Sequence, residues 1–83
     1  MGVKVKFLAL VADIVGVDED FVEVSSPIKL NDFKEIVYSK YPKLRDLEKR
    51  FPIVVLINGV KAEPGQIIND GDEVAFMPPA SGG

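Results

Sequence analysis

Neither cysteine nor histidine occurs in this chain of 83 residues, and tryptophan is absent as well. With no thiol and no imidazole the chain has no disulfide, no thiolate nucleophile, no zinc-finger site and no Ser–His or Cys–His catalysis. The titratable groups left are carboxylates, lysines, arginines and two tyrosines, mostly where solvated charge is expected. Any chemistry the chain takes part in is therefore expected to be catalysed by another protein. No apolar run approaches the roughly 20 residues of a membrane helix. The opening segment interleaves Lys4 and Lys6 with valines and lacks the apolar core of a signal peptide. The net charge of −3 lacks the basic excess of a nucleic-acid binder. Neither nucleic acid nor membrane is expected as a partner, and a cytoplasmic location is the simplest expectation.

What is present describes a small folded domain. The composition is 47% apolar and 28% charged, with five Phe, too apolar for a disordered chain. The length leaves room for one core, expected over residues 1–79, with a short tail at residues 80–83. Val3, Val5 and Phe7 alternate with Lys4 and Lys6, the period of a half-buried strand. Residues 11–20 read as a connection with one helical turn near Ala12–Val15, stopped by Gly16. Phe21–Ser25 reads as a second strand. Asn31 is expected to cap a main helix over residues 32–41, with Phe33, Ile36, Val37 and Tyr41 on one face and Pro42 ending it. Leu44 and Leu47 are expected to anchor a short turn, and the mixed charges of 43–50 to form an exposed face. Ile53–Ile57 is a third strand, apolar on both faces. Asn58-Gly59 is a hairpin signal, since both residues tolerate positive φ. A fourth strand follows near 60–63; Ile67 and Ile68 are expected to plug the core, and Asp70-Gly71 to turn into a last strand. Two hairpins flanking one helix give an α+β layer in which a sheet wraps the helix.

The sequence ends Ser81-Gly82-Gly83. Two glycines without Cβ make thin, pliable backbone that passes through a channel too narrow for side chains and presents a terminal carboxylate to another active site. Pro78-Pro79 restricts two φ angles and favours an extended exit. The acidic groups Asp18-Glu19-Asp20 and Asp70/Asp72/Glu73 lack EF-hand spacing and read as solvated turns. Tyr38 and Tyr41 are expected to flank the core, and Phe7 and Phe76 to lie in it. If Val5, Phe7, Val74 and Phe76 face the helix, alternation sends Leu8, Met77, Val54 and Leu56 to the outer sheet face with Lys6 and Glu73.

The run from Asp70 through Glu73-Val74-Ala75-Phe76-Met77-Pro78-Pro79 to Gly82-Gly83 resembles the C-terminal signature of the MoaD/ThiS sulfur-carrier family, on the MoaD side. The resemblance extends more weakly through Val3–Leu10, Val15-Gly16 and Ile57-Asn58-Gly59. Ala80 departs from it, standing where a bulkier β-branched residue is common. The resemblance implies a ubiquitin-like β-grasp fold, a mixed sheet of about five strands around one main helix, with a flexible Gly-Gly tail. It implies the role of a molybdopterin synthase small subunit, non-catalytic by itself. A MoeB-like adenylating enzyme, using its own ATP and magnesium, would activate the Gly83 carboxyl. Sulfur from a donor protein would then give a thiocarboxylate, used by a MoaE-like large synthase subunit in molybdenum cofactor biosynthesis. Gly83 would be the covalent carrier, Ser81 and Gly82 channel contacts, and Leu8, Leu56, Met77, Pro78 and Pro79 partner contacts. No cofactor or metal is expected on this chain. The same adenylate serves a ubiquitin-like modifier joined through Gly83 to target lysines, or a ThiS-like carrier for thiamine. A β-grasp interaction module with an inert tail is the remaining alternative.

Overall fold

The alternation at the start becomes β1 (Gly2–Phe7) in the computed structural model, which describes residues 1–25 and 27–79. Val3, Val5 and Phe7 are buried to 2% exposure or less, while Lys4 and Lys6 stay half-exposed. Helix α1 (Leu10–Val15) follows and ends at Gly16, whose φ of 87° is left-handed. The Gly16 N–H donates to Ala12 O at 2.8 Å, closing the helix as a glycine stop should. Strand β2 (Glu19–Glu23) runs antiparallel to β1, two residues earlier than the expected Phe21–Ser25. The register decides this. Lys6 lies opposite Glu19 and Val5 opposite Asp20, so two acidic residues that read as a turn belong to the strand, one of them across from a lysine.

After the two-residue strand β3 (Ile28–Lys29) come α2 (Leu30–Lys40) and α3 (Pro42–Arg50). Asn31 is not the cap of α2. The extended Lys29 holds that place with no side-chain bond, and the Leu30 N–H instead donates to Gln66 O at 2.9 Å. Tertiary backbone thus does the work expected of a side chain. Leu30, Phe33, Val37 and Tyr38 are buried, whereas Ile36 is 39% exposed and falls off the expected stripe. Pro42 ends one helix and begins the next, occupying a first-turn position that needs no N–H. The stretch expected as a short turn and charged surface is therefore a nine-residue helix. Leu44 and Leu47 enter the core from its inner side.

Strand β4 (Val54–Ile57) and β5 (Val60–Lys61) flank Asn58-Gly59, whose φ values of 52° and 82° are those of a type I′ turn. Strand β6 (Ile67–Ile68) pairs with β3. Ile68 is fully buried, but Ile67 is 44% exposed, because neighbours in a strand face opposite ways. Strand β7 (Glu73–Met77) completes a sheet of order β2-β1-β7-β4-β5. Its central pair, β1 and β7, is parallel, and the other pairs are antiparallel. The inner face packs Phe7 and Phe76, stacked at 5.9 Å between centroids, with Phe33, Val37 and Leu44 in one core. This is the ubiquitin-like β-grasp of α+β class, with α3 as a second helix beside the main one.

Candidate docking face and the exit of the last strand

β7 is held on both sides, and its register sorts its residues. Val74 and Phe76 pair with Val5 and Phe7 in β1 and lie in the core. Glu73, Ala75 and Met77 therefore face outward. Across the other edge Leu56 pairs with Ala75 and Val54 with Met77, so both share that outer face, as alternation predicts. Leu8 extends the parallel pairing through its N–H to Phe76 O at 3.0 Å and is 36% exposed. Leu56, Met77 and Pro78 are half-buried, and Pro79 is exposed. The expected contact residues Leu8, Leu56, Met77 and Pro78 thus gather around the end of β7, with Pro79 next in sequence. Ala80, Ser81, Gly82 and Gly83 lie outside the described residues.

Phe21 was overlooked by the sequence reasoning. It pairs with Lys4 on the outward side of β2 and is 66% exposed. The signal was available: Val22 and Val24 are buried, and the same alternation that exposes Leu56 exposes Phe21. The outer face is thus an apolar strip from Val54 and Leu56 over Ala75 and Met77, with Phe21 near the far edge. Ion pairs of Lys4 with Glu19 at 3.7 Å and Lys6 with Glu73 at 3.8 Å cross it. Both pairs are exposed enough that each adds about 0–1 kcal/mol. Their use is to keep a partly apolar sheet solvated.

The start of β7 is clamped by the acidic turn. Asp72 accepts from Asn58 Nδ2 at 3.0 Å and from the Asn69 N–H at 2.7 Å, while Asn58 Oδ1 accepts from the Glu73 N–H at 2.9 Å. Asp70 accepts from the Gly2 N–H at 2.8 Å. These carboxylates organise backbone, and among the described residues no group of three or more His, Cys, Asp or Glu is placed to hold a metal. On the other side of the molecule Asp20 receives Lys40 and the Tyr41 hydroxyl. These bonds, Lys40 first, hold its carboxyl below the usual range. Burial, then the bond to Asp20, pushes the Tyr41 phenol up to about 12. Tyr41 packs edge-on against Phe7 at 5.0 Å, and Tyr38 is buried, so both tyrosines flank the core. No helix among the described residues is long and apolar enough to cross a membrane.

A rigid last strand leaving between two partly apolar flanks is suited to docking and to presenting a segment. Known proteins share both the sequence and the shape. The sequence model of the ThiS family matches residues 5–83. The molybdopterin synthase sulfur carrier subunit of Mycobacterium tuberculosis is 36% identical over 75% of this chain and 72% of its own length. That of Chlamydomonas reinhardtii is 29% identical over the whole of both chains. Among solved structures, SAMP1 from Haloferax volcanii superposes with a TM-score of 0.82 at 30% identity, covering both chains completely. A chain from the complex of subunits 1 and 2 of the molybdopterin-converting factor of Helicobacter pylori also covers both fully, with a TM-score of 0.72 at 19% identity, and shares the fold. With a family match across nearly its entire length, this chain belongs to the ThiS family of ubiquitin-like sulfur carriers.

Proposed function

We propose that the chain is the sulfur carrier subunit of a molybdopterin synthase and that Gly83 carries the sulfur. Its carboxylate attacks the α-phosphate of ATP on an adenylating enzyme, forming the acyl-adenylate and expelling pyrophosphate. Sulfide attacks the acyl carbon, AMP leaves with the bonding pair, and a thiocarboxylate remains. The thiocarboxylate gives its sulfur to a pterin precursor in the large subunit. This chain supplies the docking face formed by Leu8, Phe21, Leu56 and Met77, the Pro78-Pro79 exit, and Ser81-Gly82 as a slim lead into the partner's channel. ATP and magnesium are handled by the adenylating enzyme.

The observation that carries this reading is the match to named sulfur carrier subunits over the full chain. The lack of cysteine and histidine agrees with it, since no thiol or imidazole of this chain competes with the terminal carboxyl as the reacting group. Incubation with ATP, sulfide and a cognate adenylating enzyme, followed by intact mass measurement, tests it. The expected product is heavier by the exchange of one oxygen for sulfur, and an unchanged mass refutes the assignment.

The likeness to the small archaeal modifier protein SAMP1 of Haloferax volcanii and of Methanosarcina acetivorans favours a second use of the same adenylate. There a lysine amine would attack the acyl carbon, releasing AMP and forming an isopeptide bond. Gly-Gly remnants on cellular lysines, absent from a strain lacking this chain, are the expected sign.

A further inference from the structure

The charge of the molecule is segregated. The chain carries −3 overall, yet residues 40–50 hold five cations against two acids. Lys34, Lys40 and Arg45 are occupied by Glu48, Asp20 and Glu35. Among the described residues Lys43, Lys49 and Arg50, all exposed on α3, form no ion pair. Lys43 and Arg50 lie two turns apart on one helix face, and with Ile14 of α1, Asp46 and Leu47 they line a recess of about 140 Å³. A neighbouring recess, bounded by Val15, Lys40 and Tyr41, shares Lys43 with the first, so one groove runs along the α1–α3 junction. The first recess is smaller than the about 300–1,000 Å³ typical of small-molecule sites, while the neighbouring one, at about 410 Å³, is a shallow trough open to solvent. The first suits one aliphatic side chain of a protein partner.

This groove is separate from the sheet face but close to the exit of β7. Leu8, which bonds to Phe76, leads directly into α1, and Val54, which pairs with Met77, follows shortly after α3. A protein seated on the groove would be near the end of β7 while another protein covers the sheet. Resting on the sulfur-carrier reading above, we infer that the α1–α3 groove docks the protein that delivers sulfur, through an acidic segment bearing one aliphatic residue. The delivering group is a cysteine persulfide. Its terminal sulfur attacks the Gly83 acyl-adenylate carbon, AMP departs, and an acyl disulfide forms. A thiol from outside this cysteine-free chain then attacks the donor-side sulfur. The thiocarboxylate is released, and the donor cysteine remains in a mixed disulfide with that thiol.

The test uses the full chain, its adenylating enzyme, ATP and two sulfur sources: inorganic sulfide, or a donor protein loaded as its cysteine persulfide, with dithiothreitol added only after a timed quench to release the thiocarboxylate from the acyl disulfide. For the doubly reversed variant Lys43→Glu with Arg50→Glu, the initial rate of thiocarboxylate formation from the persulfide is expected to fall roughly tenfold at low salt. The rate from sulfide and the ATP–pyrophosphate exchange should stay at wild-type levels. Asp46→Lys, which adds to the positive field, should raise the persulfide rate. Equal rates in wild type and variant with the persulfide overturn the inference. An equal fall with both sulfur sources overturns it too, by assigning the groove to the adenylating enzyme. If the wild type gains sulfur from neither source, the carrier reading itself fails, and the groove's role with it.

Discussion

Asp20 Oδ2 accepts from the Tyr41 hydroxyl at 2.5 Å and from Lys40 Nζ at 2.6 Å, tying the exposed edge strand β2 to the joint between α2 and α3. The other oxygen, Oδ1, accepts the Phe21 N–H at 2.8 Å. Residues 18 and 24 bond back to β1, so by antiparallel parity the Phe21 N–H points to the open edge. One carboxylate thus closes the corner of the fold and blunts a sheet edge on which another strand would otherwise pair.

The sign of its pH dependence follows. Because Asp20 is held below its ordinary range in the folded state, its contribution is fully present above about pH 3.9 and fades as pH falls through the depressed value. Asp20→Asn should destabilise by about 1–2 kcal/mol at pH 7, with a smaller difference from wild type in strong acid. Urea titrations at several pH values below 5 measure both.

Tyr41 behaves in the opposite sense. Its phenol is raised to about 12, so its contribution holds below about pH 10 and is lost as pH rises through 12. Phenolate absorbance should show a late step near pH 12, and Tyr41→Phe should reduce its amplitude.

The hairpin after β4 depends on two neighbouring residues for different reasons. Gly59 has open space where a Cβ would sit, but its φ is 82°, so Gly59→Ala should cost about 1 kcal/mol through backbone strain alone. Asn58→Ala loses the bonds to Asp72 and Glu73 as well. A double-mutant cycle with Asp72→Ala should show coupling of about 0.5–1 kcal/mol, detectable as non-additive thermal midpoints.

Burial separates two leucines of similar appearance in the sequence. Leu44 is fully buried and Leu10 is 45% exposed. Leu44→Ala should cost about 2–5 kcal/mol, and Leu10→Ala within about 0.5 kcal/mol, both read from denaturant midpoints.

On the docking face, Leu56→Arg together with Met77→Arg should lower kcat/KM for adenylation by at least about tenfold, equivalent to about 1.4 kcal/mol, while shifting the thermal midpoint little. Removing Gly83 should abolish loading altogether. Pyrophosphate release assays separate the two effects.

Elements whose local pattern and tertiary role coincide were legible before the structure. The Val3/Val5/Phe7 alternation, the Gly16 stop and the Asn58-Gly59 turn each depend on a period or a backbone conformation specified within a few residues. Helix α3 was hidden because Leu44 and Leu47 are two apolar residues in a charged stretch, too few to show a stripe. The start of α2 was displaced because its first N–H is satisfied by Gln66, distant in sequence. Phe21 stood inside the expected strand, and carrying the alternation through Val22 and Val24 would have placed it on the outer face.

By itself the amino-acid sequence determined that the chain is of α+β class, that it offers no thiol or imidazole chemistry, and which face of β1 is apolar. Those properties follow from residue chemistry and from the two-residue period of a strand. Only the tertiary structure decided that β7 lies between β1 and β4, bringing Leu8, Leu56 and Met77 together, that Asp20 meets Tyr41, and that α1 meets α3 beside unpaired cations. Such relationships come from pairing and packing between segments far apart in the chain, and no local pattern encodes which segments will meet.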